Sequence, residues 1–121
     1  MKAVVTLSML AFVAAGPTFA ACEAPNQSIK VPSGASASRD EMLATQRAIK
    51  EYDAAVKTYS ACLKSEQDAA IAAGGDKITA DEKSKIEAKY AERQNAEVDK
   101  VTAVAAAFNV ELKAFKAKNA Q

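Results

Sequence analysis

The fold is decided by residues 74–82, GGDKITADE, which have the pattern of one helix ending and another beginning. Gly74 and Gly75 supply a residue that can adopt a positive φ, a common way for a helix to end. Thr79 and Glu82 match a capping box, in which each side chain accepts a hydrogen bond from the backbone N–H of the other. Because the linker is so short, we predict an all-α hairpin of two antiparallel helices over residues 38–121.

The first helix is predicted over about residues 38–73. Ser38 and Glu41 match a second capping box at its start. Apolar side chains then recur at spacings of mostly three and four residues, which is the pattern of one helix face. They are Met42, Ile49, Tyr52, Val56, Tyr59, Leu63 and Ala70.

The second helix is predicted over about residues 79–118, a stretch that contains neither Pro nor Gly. Lys113, Lys116 and Lys118 lie near its end, where the helix dipole favours cations. At 1.5 Å per residue, each of the two helices is roughly 50–60 Å long. The apolar face of the second helix consists of Ile86, Tyr90, Val98, Val101, Val104, Phe108, Leu112 and Phe115.

Folding the chain about the turn sets which residues of the two helices face each other. It brings Leu63 to Tyr90 and Tyr52 to Val101, and nearly every such match is apolar on both sides. Glu97 is a polar exception. We predict that it lies at the rim of the seam between the helices, with a buried carboxylate as the alternative. From there it is close enough to hydrogen-bond to Tyr52.

Residues 1–20 are predicted to be a signal peptide. Lys2 is followed by an uncharged apolar run over residues 3–15, and small residues precede a cleavage site after Ala20. The run is too short for a retained anchor, because a membrane-spanning helix needs about 20 apolar residues. The mature protein is therefore expected to be periplasmic or secreted.

Cys22 and Cys62 are the only cysteines, so in an oxidising compartment one intrachain pairing exists. Residues 21–37, which we call the arm, contain two prolines and a glycine and have no apolar periodicity. The arm is predicted to be extended. From Ser38 to Cys62 the first helix covers about 36 Å, and the extended arm reaches about 50 Å. We therefore predict that the arm folds back along the first helix and is fastened by a Cys22–Cys62 disulfide.

Acylation of Cys22 is the alternative to the disulfide. Residues 19–22, FAAC, resemble a lipobox, although Phe19 stands where Leu is usual. Acylation would leave Cys62 as an unpaired thiol in an oxidising space. A membrane partner is not expected unless Cys22 carries a lipid.

Composition excludes several classes of function. Once Lys2 is removed with the signal, 15 basic and 15 acidic side chains remain, so no basic surplus points to nucleic acid. The chain contains no His, which excludes Ser-His-Asp and Cys-His catalysis. The turn resembles the end of a calcium loop, but Ile71, Ala73 and Gly75 occupy the first ligand positions and offer no side-chain oxygen. We predict no enzyme, no cofactor and no metal site.

Two functions remain open. The first is a non-enzymatic interaction or structural module that binds an envelope protein or associates with itself. A lone hairpin leaves much of each helix exposed, so dimerisation into a four-helix bundle would bury more apolar surface. The second is a small-apolar-ligand binder or a chaperone-like envelope protein, with Tyr52, Tyr59 and Tyr90 lining a pocket between arm and helices. Residues off the main seam where a second contact could form are Leu43, Ala55, Ala105 and Val110.

Four short motifs carry a resemblance to known proteins. They are residues 32–36 (PSGAS), Met42, residues 59–63 (YSACL) and residues 108–109 (FN). In these motifs the chain resembles a group of small exported helical proteins of proteobacteria. That group has no established activity. The resemblance implies a periplasmic location and the same disulfide-fastened hairpin, and it carries no site residue over.

Overall fold

Two long α-helices make up most of the structure, a computed structural model that describes residues 21–121. Helix α1 spans Arg39–Gly74 and helix α2 spans Ala80–Asn119, with a 3₁₀ turn at Gly75–Lys77 between them. Residues 21–121 contain no strand, so the predicted all-α class is confirmed for the part described. The predicted signal peptide, residues 1–20, lies outside the described residues.

Both predicted capping boxes are confirmed. At the start of α1 the Ser38 N–H donates to Glu41 Oε2 at 2.7 Å, and the Glu41 N–H donates to Ser38 Oγ at 3.2 Å. Thr79 and Glu82 repeat the arrangement at the start of α2, at 2.9 and 3.2 Å. Each box satisfies backbone donors that have no partner within the first turn of a helix.

Helix α1 ends at a glycine with positive φ, as predicted. Gly75 has φ 53°, and its N–H donates to the Ala72 carbonyl oxygen. The chain then turns within a few residues, and the Ile78 N–H donates to the Gly75 carbonyl oxygen. A side chain at Gly74 would press against Ile78. The two glycines therefore allow a turn tight enough to lay α2 back along α1.

Three clusters of buried residues form the core. The predicted pairs Leu63–Tyr90 and Tyr52–Val101 each fall within a single cluster, which confirms the antiparallel register at both places. Leu63 is the most deeply buried large side chain. The clusters are centred on Tyr59 and Leu63, on Tyr52, Val56 and Val101, and on Met42 and Phe108.

The rim position predicted for Glu97 is wrong. Glu97 is only 4% exposed, whereas Val98, predicted on the apolar face, is 38% exposed. Successive residues of an α-helix are about 100° apart around the axis, so only one of two neighbours can face α1. Here that residue is Glu97, because Tyr52 offers it a hydrogen-bond partner across the interface.

The arm packs along both helices as a third layer. Cys22 lies in the cluster of Leu63, Ile29 packs on the cluster of Tyr52, and Val31 packs on the cluster of Phe108. The arm therefore runs in the direction opposite to α1. Its backbone–backbone hydrogen bonds in the described structure belong to the turn over residues 33–37.

The hairpin has a packed base and a thin tip. No residue in the stretch 64–96 is buried, and apolar side chains such as Ile71 and Ile86 are only half-buried. The described part of the arm reaches along the hairpin only as far as Cys62, so none of residues 21–37 covers the tip. No helix within residues 21–121 combines the length and hydropathy needed to cross a membrane.

Candidate functional site

The first candidate site is the place where the arm, α1 and α2 meet. Cys22 and Cys62 are paired at disulfide distance, with Cα atoms 5.8 Å apart and a sequence separation of 40. The structure has no free cysteine. In this pairing the Cys22 sulfur is bonded to Cys62, so it is not available to carry an acyl group.

Glu66 and Arg93 hold the backbone of Cys22 from two sides. The Cys22 N–H donates to Glu66 Oε1 at 2.7 Å, and Arg93 Nη2 donates to the Cys22 carbonyl oxygen at 3.1 Å. Arg93 Nη1 also bonds Glu66 Oε2 at 3.3 Å. Together these hydrogen bonds connect the arm, α1 and α2. We call this group of residues the arm junction (Cys22, Cys62, Glu66 and Arg93).

Two aromatic rings support the guanidinium of Arg93. Its central carbon lies 5.9 Å from the centroid of the Tyr59 ring and 5.6 Å from that of Tyr90. A cation at this distance from an aromatic face is attracted by the ring quadrupole. Tyr59 and Tyr90 therefore position a side chain that joins α2 to both the arm and α1 by hydrogen bonds.

Sequence reasoning missed Glu66 and Arg93. Glu66 follows Cys62 by four residues, so helical geometry places it on the same face as the cysteine. From this spacing, Glu66 could have been predicted to lie beside the disulfide. No local pattern marks Arg93, which is 27 positions away from Glu66 in sequence.

A second polar group is buried at Glu97. The Tyr52 hydroxyl donates to Glu97 Oε2 at 3.2 Å, and Lys100 Nζ lies 2.6 Å from Glu97 Oε1. Burial, and then the hydrogen bond to Glu97, raise the pKa of Tyr52 above its usual 10.0. The hydrogen bond and charge of Glu97 raise the pKa of Lys100. Pairing of this kind is what allows a carboxylate to be buried.

The three tyrosines proposed to grip a ligand are divided between clusters. Tyr52 lies in a different buried cluster from Tyr59 and Tyr90. A shallow depression does lie between the arm and α1, and Tyr59 is the tyrosine that lines it. The other residues lining it are Glu23, Pro25, Ala55, Thr58 and Cys62.

The second candidate site is an open groove between the helices on the side away from the arm. It is about 500 Å³ in volume, and no arm residue lines it. A neighbouring depression shares Ile49 and Ala105 with it and extends it toward Phe108 and Leu112. We call this surface the arm-free groove, lined by Ile49, Lys50, Asp53, Val101, Thr102, Ala105, Ala106 and Asn109.

One group among the described residues has the composition of a metal site. The potential ligand atoms of Cys22, Cys62 and Glu66 all lie within 4.8 Å of one another. The thiolate is the form of cysteine that binds metals. With the two sulfurs bonded to each other, neither is a thiolate.

No family model matches the chain, and neither a curated protein nor a solved structure matches it. The resemblance to exported proteobacterial proteins stays a prediction.

Proposed function

We propose that this protein is a non-enzymatic helical interaction module of the periplasm or another exported compartment. The predicted signal peptide of residues 1–20 supports export. The Cys22–Cys62 pair supports an oxidising location, because disulfides persist in such compartments and are rare in the cytosol. The module acts through the surface of its helices.

The arm-free groove carries this proposal. The arm covers one side of the helix pair, and the opposite side keeps an open groove whose apolar lining includes Ile49 and Ala105, with the buried Val101 at its floor. Ala105 and Ala106 are small, so another helix can approach α2 closely there. Helices pack at interaxial distances of about 8–10 Å, with the value set by the side chains at the contact.

The partner we propose for this groove is a second copy of the chain, which gives a four-helix bundle. Two-fold symmetry makes each residue pair in such a contact occur twice. Lys50 and Asp53 both line the groove. If the two-fold axis passes between these two positions, Lys50 of each copy meets Asp53 of the other, and the charges at the rim complement each other.

Sedimentation of the oxidised mature protein tests the proposal. At tens of micromolar we expect a dimer, and we expect Ala105→Arg to give a monomer because it puts a charged side chain into the groove. Ala103→Arg is the matched control, since Ala103 is exposed on the same helix and lies outside the groove. A wild-type protein that sediments as a compact monomer at this concentration would refute self-association.

The alternative is a binder of small apolar ligands or a chaperone-like envelope protein. The depression beside Tyr59 is the feature that supports it. A thermal-shift screen against envelope metabolites separates the two functions. Stabilisation of a monomeric protein by a small apolar molecule would favour the binder over the bundle.

A further inference from the structure

The arm lies on the surfaces of α1 and α2, which together form what we call the groove under the arm. An identical arm from a second copy of the protein would find the same contacts there. Apart from the disulfide, the contacts are side-chain hydrogen bonds at two points and apolar packing between them. The Cys22 N–H bonds Glu66, and the Gly34 N–H bonds Glu111 Oε2 at 2.7 Å. The apolar anchors are Cys22, Ile29, Val31 and Ala37.

Residues 33–37, at the end of the arm, form the short turn that leads into α1. The Ser36 and Ala37 N–H groups both donate to the Ser33 carbonyl oxygen, and Ser38 then caps α1. The turn has no further backbone–backbone bonds to the helices within the described structure. Opening this turn would free the arm without breaking either helix.

We propose that the groove under the arm accepts residues 21–32 of a second copy in place of its own, with residues 33–37 as the hinge that opens. Two copies would then exchange arms and be joined by two interchain Cys22–Cys62 disulfides. Exchange of identical elements is a route to dimers that needs no new interface, because each contact already exists within one chain. The surface used is different from the arm-free groove, so this inference does not rest on the bundle.

Concentration decides which arm docks. An arm tethered to its own groove has an effective concentration in roughly the millimolar range. A second copy competes when the protein reaches about that concentration before the disulfide forms. Helices form in about a microsecond, whereas disulfides take seconds to hours. The arms can therefore exchange before oxidation fixes the result.

The locking step is ordinary thiol–disulfide exchange, with oxidised glutathione as the oxidant. The Cys62 thiolate of one chain attacks glutathione disulfide, forms a mixed disulfide and releases one glutathione thiolate. The Cys22 thiolate of the other chain then attacks the Cys62 sulfur and releases the second. Two protein thiols are oxidised, and one glutathione disulfide is reduced to two glutathione thiols.

Two complementary variants give a direct test. Mature Cys22→Ser and Cys62→Ser chains are mixed at about 1 mM, near the effective concentration of the tethered arm, and oxidised with glutathione disulfide. We expect a disulfide-linked heterodimer in clear excess over both homodimers, because docking brings Cys22 of one variant to Cys62 of the other. A heterodimer yield no higher than random thiol pairing gives would overturn the proposal.

A matched pair of arm substitutions separates docking from chance collision. Ile29→Asp in the Cys62→Ser chain removes an apolar anchor and leaves Cys22 reactive, so the heterodimer excess should disappear. Ser28→Asp adds the same charge at an exposed position and should preserve the excess. Ala105→Arg in both chains should also preserve it, which separates failure of the bundle from failure of arm exchange.

Wild-type chains cover the case in which the single-cysteine variants fold poorly. Normal and isotopically heavy chains are reduced, unfolded, mixed and refolded with glutathione disulfide at increasing concentration. Mass spectrometry then examines the Cys22–Cys62 disulfide peptide. Arm exchange predicts a mixed-isotope peptide whose fraction rises with protein concentration. A peptide of uniform isotope at every concentration would show that each arm stays with its own chain.

Discussion

Glu66 accepts the backbone N–H of Cys22 at 2.7 Å, from a position one helical turn beyond the cysteine to which Cys22 is bonded. The end of the arm is thus held twice by the same face of α1, once by sulfur and once by a carboxylate. Arg93 adds a third hold from α2 through the Cys22 carbonyl oxygen. The arm junction therefore ties three segments together at the point where the packed base of the hairpin gives way to its tip.

The first prediction concerns Glu66. Glu66→Ala should destabilise the oxidised protein by about 1–3 kcal/mol, because a partly buried N–H and the Arg93 guanidinium both lose a partner. Urea unfolding monitored by circular dichroism measures the change. Glu92→Ala, at an exposed position of α2, is the control and should leave the midpoint almost unchanged. Equal effects of the two substitutions would contradict the role of Glu66.

The second prediction concerns the disulfide. Closing a loop between cysteines separated by 40 in sequence contributes about 4 kcal/mol by the chain-entropy estimate. Reduction should therefore lower Tm by roughly 15–30 °C for a chain of this size. Calorimetry with and without a reductant measures the shift, and the Cys22→Ser/Cys62→Ser double variant serves as its reference. A Tm that does not respond to reductant would rule out a stabilising disulfide.

The third prediction concerns the buried carboxylate of Glu97. Tyr52→Phe removes its hydroxyl donor and leaves Lys100 as its remaining partner among the described residues. The loss should cost about 1–3 kcal/mol, because the carboxylate stays buried with one bond fewer. Urea unfolding provides the value. Tyr90→Phe is the control, since the Tyr90 hydroxyl makes no hydrogen bond in the described structure, and it should be close to neutral.

The fourth prediction concerns acid stability. Hydrogen bonds from the backbone N–H groups of Ser38 and Thr79 lower the pKa of Glu41 and Glu82 below the usual 4.5. A depressed pKa in the folded state stabilises the protein above 4.5, and this stabilisation is lost as the pH falls through the folded value. In a series of Tm measurements against pH, the gap between wild type and Glu41→Gln/Glu82→Gln should therefore close in acid.

The control for the acid series is a pair of exposed glutamates within the helices. Glu51→Gln/Glu92→Gln makes the same change of charge away from any helix cap. Its difference in Tm from the wild type should not close in acid. A similar pH-dependent gap in both double variants would mean that net charge, and not capping, controls acid stability.

The fifth prediction concerns Gly34, where the arm lies directly on the backbone of α2. A Cβ at this position would overlap the carbonyl oxygen of Glu111. Gly34→Ala should therefore lift the turn from α2 and cost about 1–3 kcal/mol, as overpacking does. Ala35→Ser, at the exposed neighbouring position, should be nearly neutral in the same unfolding experiment.

Much of the helical frame follows from local signals in the chain. Ser38 with Glu41, and Thr79 with Glu82, mark helix starts because the bonds of a capping box join residues only three apart. Gly75 marks the end of α1 because positive φ suits glycine. The short linker then brings Leu63 to Tyr90, since the register is set by counting residues from the turn.

The placement of Glu97 could not be read from such signals. Glu97 and Val98 both fit spacings of three and four from their neighbours, and the apolar side chain was the natural choice for the core. The rotation of α2 about its axis depends on packing along its whole length. In the folded protein Tyr52 supplies the hydroxyl, and Lys100 supplies the charge, that let Glu97 take the buried position.

By itself, then, the sequence determined two capped helices, the turn that folds them together and the one pairing open to its cysteines. Tertiary structure alone decided that Arg93 reaches Cys22, that Glu111 meets Gly34, 77 positions away, and that one groove is covered while the other stays open. The physical reason is the separation along the chain over which each kind of interaction acts. Helix signals act over three or four residues, whereas contacts between distant segments depend on how the helices are rotated and which path the arm takes between them.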